Sequence, residues 1–130
     1  MIDIYKAKAI LDGEWVQGNL IQETSRIMHH YYKINGKLIN QETICKCSGL
    51  RANLELVFEK DILQYKAHDG YLIPDMVVLV VYDEERGCWG YKKTESDYIW
   101  PFCEVDELQR DFLDHCTVIG NLIDNPELTR

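Results

Sequence analysis

Few residues in this chain could do chemistry, and their spacing decides what each group could do. Cys45 and Cys47 stand two positions apart. A structural zinc site draws on wider ligand pairs and needs a second pair to complete the tetrahedron, but Cys88, Cys103 and Cys116 are scattered singly. On a strand Cys45 and Cys47 share a face and fill a core, so no metal is expected. His115-Cys116 has the residue types of a Cys–His nucleophile, yet neighbours on a strand point to opposite faces and cannot share a proton. His68-Asp69 fails in the same way. His29-His30-Tyr31-Tyr32 puts one histidine and one tyrosine on each face of a half-exposed strand. Glu59 and Asp61 share a face if their segment is extended, which makes them the candidate acid–base or magnesium pair. A solvated Glu beside a turn-capping Asp accounts for them equally well. The chain has no Gly-rich phosphate loop, HExxH, GxSxG or helix-turn-helix pattern. No catalytic residue and no cofactor is expected, and Glu59 with Asp61 carry the enzyme alternative.

Charge narrows the partners. The net charge is −8 and is unevenly placed. Residues 1–65 hold eight basic and eight acidic side chains, whereas residues 66–130 hold six and fourteen. Gripping a phosphate backbone requires clustered Lys and Arg, so nucleic-acid binding is disfavoured; Lys33, Lys37, Lys46 and Arg51 are the one local basic group. Glu95, Asp97, Glu104, Asp106, Glu107, Asp111 and Asp114 are opposed only by Arg110. Solvation explains such a run most simply. The alternative is an acidic mimic of nucleic acid that occupies the basic groove of a host enzyme. The aromatics Trp15, Tyr31, Tyr32, Tyr71, Trp89, Tyr91, Tyr98 and Trp100 are many for a small domain; core packing takes most of them, and a remainder exposed on one sheet face suits a protein partner.

The elements that would position these residues read mostly as strands. Ile4 to Ala9 alternates imperfectly, and Asp12-Gly13 forms a turn because both positions tolerate positive φ. A strand from about Glu14 to Gln22 follows, with a bulge at Gly18-Asn19, then a strand from Ile27 to Ile34 ending in the turn Asn35-Gly36. Glu42 to Leu50 leads through Ser48-Gly49-Leu50 into a loop. Helix and strand compete over Leu54 to Tyr65, and His68-Asp69-Gly70 and Pro74 are breaks. Met76 to Tyr82, the longest apolar run, has strand length and falls far short of the ~18 residues of a membrane span. Asp83 to Gly87 turns it back into Cys88 to Lys92 as the central hairpin. Ser96 to Trp100 adds a short strand before Pro101. The spacing of Val105, Leu108 and Phe112 predicts a helix over Glu104 to Leu113. Thr117-Val118-Ile119 closes the sheet, Gly120-Asn121 bends it, and Asn125-Pro126 ends regular structure. One domain over 1–130 is expected, subdivided into an N-terminal β region over 1–45 and a barrel over 46–130.

Three segments together resemble the YopX-like family of phage and prophage proteins. Val118-Ile119-Gly120-Asn121-Leu122-Ile123-Asp124-Asn125-Pro126-Glu127-Leu128 matches that family's closing motif almost position for position. Ser48-Gly49-Leu50 and Val57-Phe58-Glu59-Lys60-Asp61-Ile62 resemble its middle elements, and Lys8 to Trp15 resembles its opening. Lys60 stands where the family has glycine, which implies an altered turn there. Ala52-Asn53-Leu54 stands in place of an Asn-Gly-like turn. The resemblance implies a phage or prophage origin, an SH3-like β-barrel and no activity. It marks Gly49, Glu59, Asp61, Ile62, Gly120, Asn121, Asn125 and Pro126 as motif residues, whose favoured role is structural.

These readings converge on a mainly β protein: a small SH3-like barrel, an N-terminal β-meander and one short C-terminal helix. It is expected in the bacterial cytoplasm, because no secretory signal opens the chain and an odd count of five cysteines argues against a disulfide framework. The function expected is non-enzymatic binding or assembly with an unknown phage or host protein, as a homo-oligomer and without a membrane.

Overall fold

Turn chemistry closes the first strand pair. The computed structural model describes residues 4–27, 29–67, 74–93, 96–102 and 112–129. In it β1 (Tyr5–Lys8) pairs antiparallel with β2 (Trp15–Gly18). Gly13 takes φ 71 between them, and the Ala9 amide donates to the Glu14 carbonyl at 2.9 Å. The strand expected over Glu14 to Gln22 is two strands. The chain leaves β2 at Gly18, and β3 (Leu20–Ser25) pairs with β4 (His29–Ile34) in a separate sheet. Gly18 permits this because a Cβ there would meet Asn35 Oδ1 at 2.9 Å, while Asn35 Nδ2 donates to the Gln17 carbonyl at 3.0 Å. Asn35 and Gly36, at φ 52 and 77, supply the two positive angles of a primed turn and lead into β5 (Lys37–Leu38).

The chain divides into two compact units, Met1–Cys47 and Ser48–Arg130. The first is centred on Ala7, Ile34 and Ile39, with Tyr5, Val16, Leu20, Tyr32 and Ile44 packed against them. Tyr5 and Ala7 lie on one face of β1, and Tyr32 and Ile34 on one face of β4, as the period of two requires. The strand β6 (Cys45–Ala52) carries the chain across residue 47. Ser48-Gly49-Leu50 therefore lies inside a strand and not in the expected loop. Gly49 takes φ 79, the Leu50 amide donates to Ser48 Oγ at 3.1 Å, and Ser48 Oγ donates to the Val57 carbonyl at 2.7 Å. The glycine absorbs a local kink that a bulky residue would have turned into a strand end.

In the second unit β7 (Glu55–Phe58) and β8 (Asp61–Tyr65) settle the helix–strand competition in favour of strand. Val57, Phe58, Ile62 and Leu63 are all buried, and burying both faces outweighs the fractions of a kcal/mol by which Leu and Glu prefer helix. β8 joins β9 (Met76–Asp83), β10 (Cys88–Lys93), β11 (Trp100–Pro101) and β12 (Cys116–Asn121) in an antiparallel sheet of order β11-β10-β9-β8-β12. That sheet curls into a half-barrel. Of the strand expected over Ser96 to Trp100 only Trp100 is paired, and the pairing runs on through Pro101, beyond the expected end of the strand.

Inside the curl lie Leu63, Tyr65, Val78, Val80, Tyr91 and Cys116. The helix expected over Glu104 to Leu113 falls outside the described residues except for its end, a helical turn at 112–114. There the Phe112 ring is stacked on Tyr65 at 4.8 Å and on Tyr91 at 4.5 Å. Past β12, regular structure does not stop at Pro126. A short 3₁₀ helix, Pro126–Thr129, packs on β9, and proline suits its first position because the missing N–H would have no partner there.

Candidate functional site

The motif residues converge on one end of the β8–β12 pair. Asp61 sits opposite Asn121 and Ile62 opposite Gly120, and the Leu122 amide donates to the Lys60 carbonyl at 2.8 Å. The Asp61 carboxylate is 1% exposed, and its Oδ2 accepts the Phe58 amide at 2.8 Å. It thereby caps the turn between β7 and β8. Glu59, half-buried, belongs to that turn and not to an extended segment, so the shared face that would make Glu59 and Asp61 a carboxylate pair does not arise. Lys60 takes φ 71. The altered turn expected from a missing glycine is absent: the lysine itself adopts the left-handed conformation, held by its amide donating to the Val80 carbonyl at 3.0 Å.

At the other half of the pair, Asn121 Oδ1 accepts the Asp124 amide at 2.9 Å, Asn125 Oδ1 accepts the Asn121 amide at 3.3 Å, and the Asn125 amide donates to the Asn121 carbonyl at 2.8 Å. Pro126 opens the 3₁₀ helix beyond. Gly49 stands apart from the other motif residues, in β6 beside β7.

The remaining chemical candidates stay separate. Cys45 is buried with its Sγ donating to the Thr43 carbonyl at 3.4 Å, and Cys47 is half-buried on the same strand. No disulfide joins Cys45, Cys47, Cys88 and Cys116 to one another. Burial pushes the Cys116 thiol up to about 12, which leaves it protonated and unreactive near neutrality. His115 ends the helical turn, with its amide bonded to the Phe112 carbonyl at 3.2 Å. Tyr31 donates to Glu23 Oε2 at 2.6 Å, and Lys33 stands 3.5 Å from the same carboxylate. The tyrosine hydrogen bond first, and the lysine charge after it, hold Glu23 below the usual carboxylate range, while the same bond raises Tyr31. No three His, Cys, Asp or Glu side chains are grouped to hold a metal ion among the described residues. His68, Asp69, Tyr71 and Cys103 lie outside them, as do Glu95, Glu104, Asp106, Glu107 and Asp111 of the acidic run; Asp97 and Asp114 are described and exposed.

A cleft of about 500 Å³ opens at the β9–β10 turn, walled by Tyr82, Tyr98 and Ile99 and edged by Asp83, Glu84, Glu85 and Asp97. Local chemistry builds it. Asp83 Oδ1 accepts the amides of Glu85 at 3.1 Å and Arg86 at 3.3 Å, and the Gly87 amide closes the turn on the Asp83 carbonyl at 2.8 Å. Arg86 reaches from that turn to the segment before β11. Its Nε lies 3.4 Å from Asp83 Oδ2, its Nη1 donates to the Ile99 carbonyl at 3.3 Å, and its guanidinium lies 5.5 Å from the Tyr98 ring centre.

Two edge-to-face pairs, Tyr82–Trp89 at 5.2 Å and Tyr98–Trp100 at 4.9 Å, fix the rings. Tyr82, Tyr98 and Trp100 remain 40%, 51% and 44% exposed. Tyr98 and Trp100 belong to the set of aromatics from which an exposed remainder is expected, whereas Tyr82 is counted in the apolar run Met76 to Tyr82. Its signal is the four charged residues that follow, which mark the end of the buried strand.

Fold and surface together define a small, mainly β protein whose recognisable residues shape turns and whose open cleft is aromatic and acidic. Residues 5–130 match the family model described as YopX protein, and the chain belongs to that family. The crystal structure of protein EF1440 from Enterococcus faecalis is similar to it in fold, with a TM-score of 0.59 and 20% identity over 100% of this chain and 99% of that one. No curated protein matches the chain. Among the described residues no helix is long and apolar enough to cross a membrane.

Proposed function

We propose that this chain is a non-enzymatic protein-binding or assembly module whose cleft at the β9–β10 turn receives a lysine- or arginine-bearing segment of another protein. The observation that supports this reading is the exposure of three rings, Tyr82 and Trp100 on the sheet and Tyr98 in the segment before β11, each in an edge-to-face pair. Tyrosine and tryptophan bury much area for little lost entropy and concentrate where interfaces are strongest. Carboxylates beside aromatic faces suit a cation, which gains from both. Arg86, lying over Tyr98, occupies the place a partner's cation would take, so binding exchanges one cation for another. The resemblance to phage and prophage proteins supports a phage or host partner in the bacterial cytoplasm.

Titration of the protein with a labelled lysine- and arginine-rich peptide and with its glutamate-rich counterpart tests the reading. The basic peptide is expected to bind, and Tyr98→Ala with Trp100→Ala to weaken it about tenfold or more, although that variant keeps every carboxylate. Equal binding by wild type and this variant would show mere charge attraction and defeat the proposal.

A further inference from the structure

The first unit carries a second cleft of about 450 Å³, walled by Ile10, Leu11 and Leu38, with Lys33 and Lys37 at its rim and Asp12 the one carboxylate. It forms because the β1–β2 turn lies along β5: the Ile10 amide donates to the Leu38 carbonyl at 2.9 Å, and Leu38 pairs with Lys33 across β4. Ile10 and Leu11 are exposed aliphatics, Leu11 almost completely. Asp12 is partly engaged, since its Oδ1 accepts the Glu14 amide at 3.0 Å. Lys33 is shared with Glu23 at 3.5 Å, whereas Lys37 at the same rim is exposed and can meet a partner.

We infer that the partner of the β9–β10 cleft is this first-unit cleft on a second copy of the chain. The inference rests on the proposed function above and names a partner for the same site. The two clefts are opposed in chemistry. One presents aliphatic side chains with lysines, the other aromatic side chains with Glu84, Glu85 and Asp97. The same opposition runs through the units that bear them. Met1–Cys47 holds six Lys and Arg against five Asp and Glu, and Ser48–Arg130 holds eight against seventeen. Either cleft set against its own like would place acid on acid or lysine on lysine, and like charges across an interface repel. Opposite patches on one chain instead favour the cleft of one copy meeting the other cleft of a second. Eight residues line each cleft, few beside the roughly 20–30 per side of a standard interface, so the association is weak and falls as salt rises.

Sedimentation velocity over a concentration series, at low and at high salt, tests this. The wild type is expected to self-associate at low salt. Lys37→Glu is expected to weaken it about tenfold or more, and so is Glu84→Lys with Glu85→Lys. The triple variant K37E/E84K/E85K restores the opposition and should recover association. Leu11→Asp, at a side chain that packs on nothing, should weaken it without unfolding the protein. A wild type that stays monomeric, or a triple variant that does not recover, overturns the inference. If the basic peptide still binds in that case, self-docking fails while the proposed function stands; if neither binds, both fail.

Discussion

Leu54 holds a backbone conformation that leucine rarely adopts, and its side chain gains nothing in return. It takes φ 74 next to Asn53 at φ 48, and it is 86% exposed. The two positive angles are those of the primed turn that joins β6 to β7, and Arg51 Nη1 steadies the turn by donating to the Leu54 carbonyl at 2.9 Å. A left-handed L-residue costs about 1–2 kcal/mol, and glycine's extra freedom in the unfolded chain takes back about 0.5–1 kcal/mol of any gain. Leu54→Gly is therefore expected to stabilise the protein by about 0.5–1 kcal/mol, seen as a higher urea midpoint with an unchanged slope. A lower midpoint would mean that the turn is not left-handed at this position. Residues of this kind set the limit of what can be read from types alone. Asp12-Gly13 and Asn35-Gly36 announce their turns, whereas Asn53-Leu54 and Lys60 adopt the same angles without the residue that signals them. Their conformation is imposed by the strands they join, and the Lys60 amide bound to Val80 shows from how far away.

Between β8 and β12 the family motif becomes a mechanical joint. A Cβ placed on Gly120 would lie 2.5 Å from Asn125 Oδ1, an atom held by the Asn121 amide at 3.3 Å. Gly120→Ala must push that side chain aside, and overpacking of this kind costs about 1–3 kcal/mol. Asn125→Ala alone loses the hydrogen bond, for about 1 kcal/mol. In the double variant the clash has lost its object, so the combined cost is expected to fall short of the sum by about 1 kcal/mol or more. Additive costs in a denaturant cycle would refute the contact. The register shift between Val118 and Gly120 is what brings the pair together. The sequence located this bend, because glycine and asparagine in succession mark one. It did not locate the cleft, since Tyr82 and Tyr98 meet only through the return of the chain after β10 and through Arg86 spanning the gap. Strand order and register are set by pairing between distant segments, and no local pattern encodes them.

Two units with cores of unequal depth should not share one stability. In Met1–Cys47 the buried centre is Ala7, Ile34 and Ile39, two of the three short or edge-placed, and much of β3 and β5 is exposed. In Ser48–Arg130 the curled sheet closes on a stack of Tyr65, Phe112 and Tyr91 and on fully buried Leu63, Val78 and Val80. Burial of apolar area is the main source of stability, and local opening follows where that burial is thin. The tryptophans divide conveniently: Trp15 lies in the first unit, Trp89 and Trp100 in the second. In a W89F/W100F variant the fluorescence reports the first unit, and in W15F it reports the second. The Trp15 signal is expected to be lost at lower urea than the signal of Trp89 and Trp100, with each midpoint judged against far-UV circular dichroism of the same variant. Native-state hydrogen exchange should agree, with the amides of β3 and β4 opening before those of β8 and β9. Coincident midpoints, with amides of both units exchanging at one common free energy, would mean that β6 couples the units into a single cooperative body despite the difference between their cores.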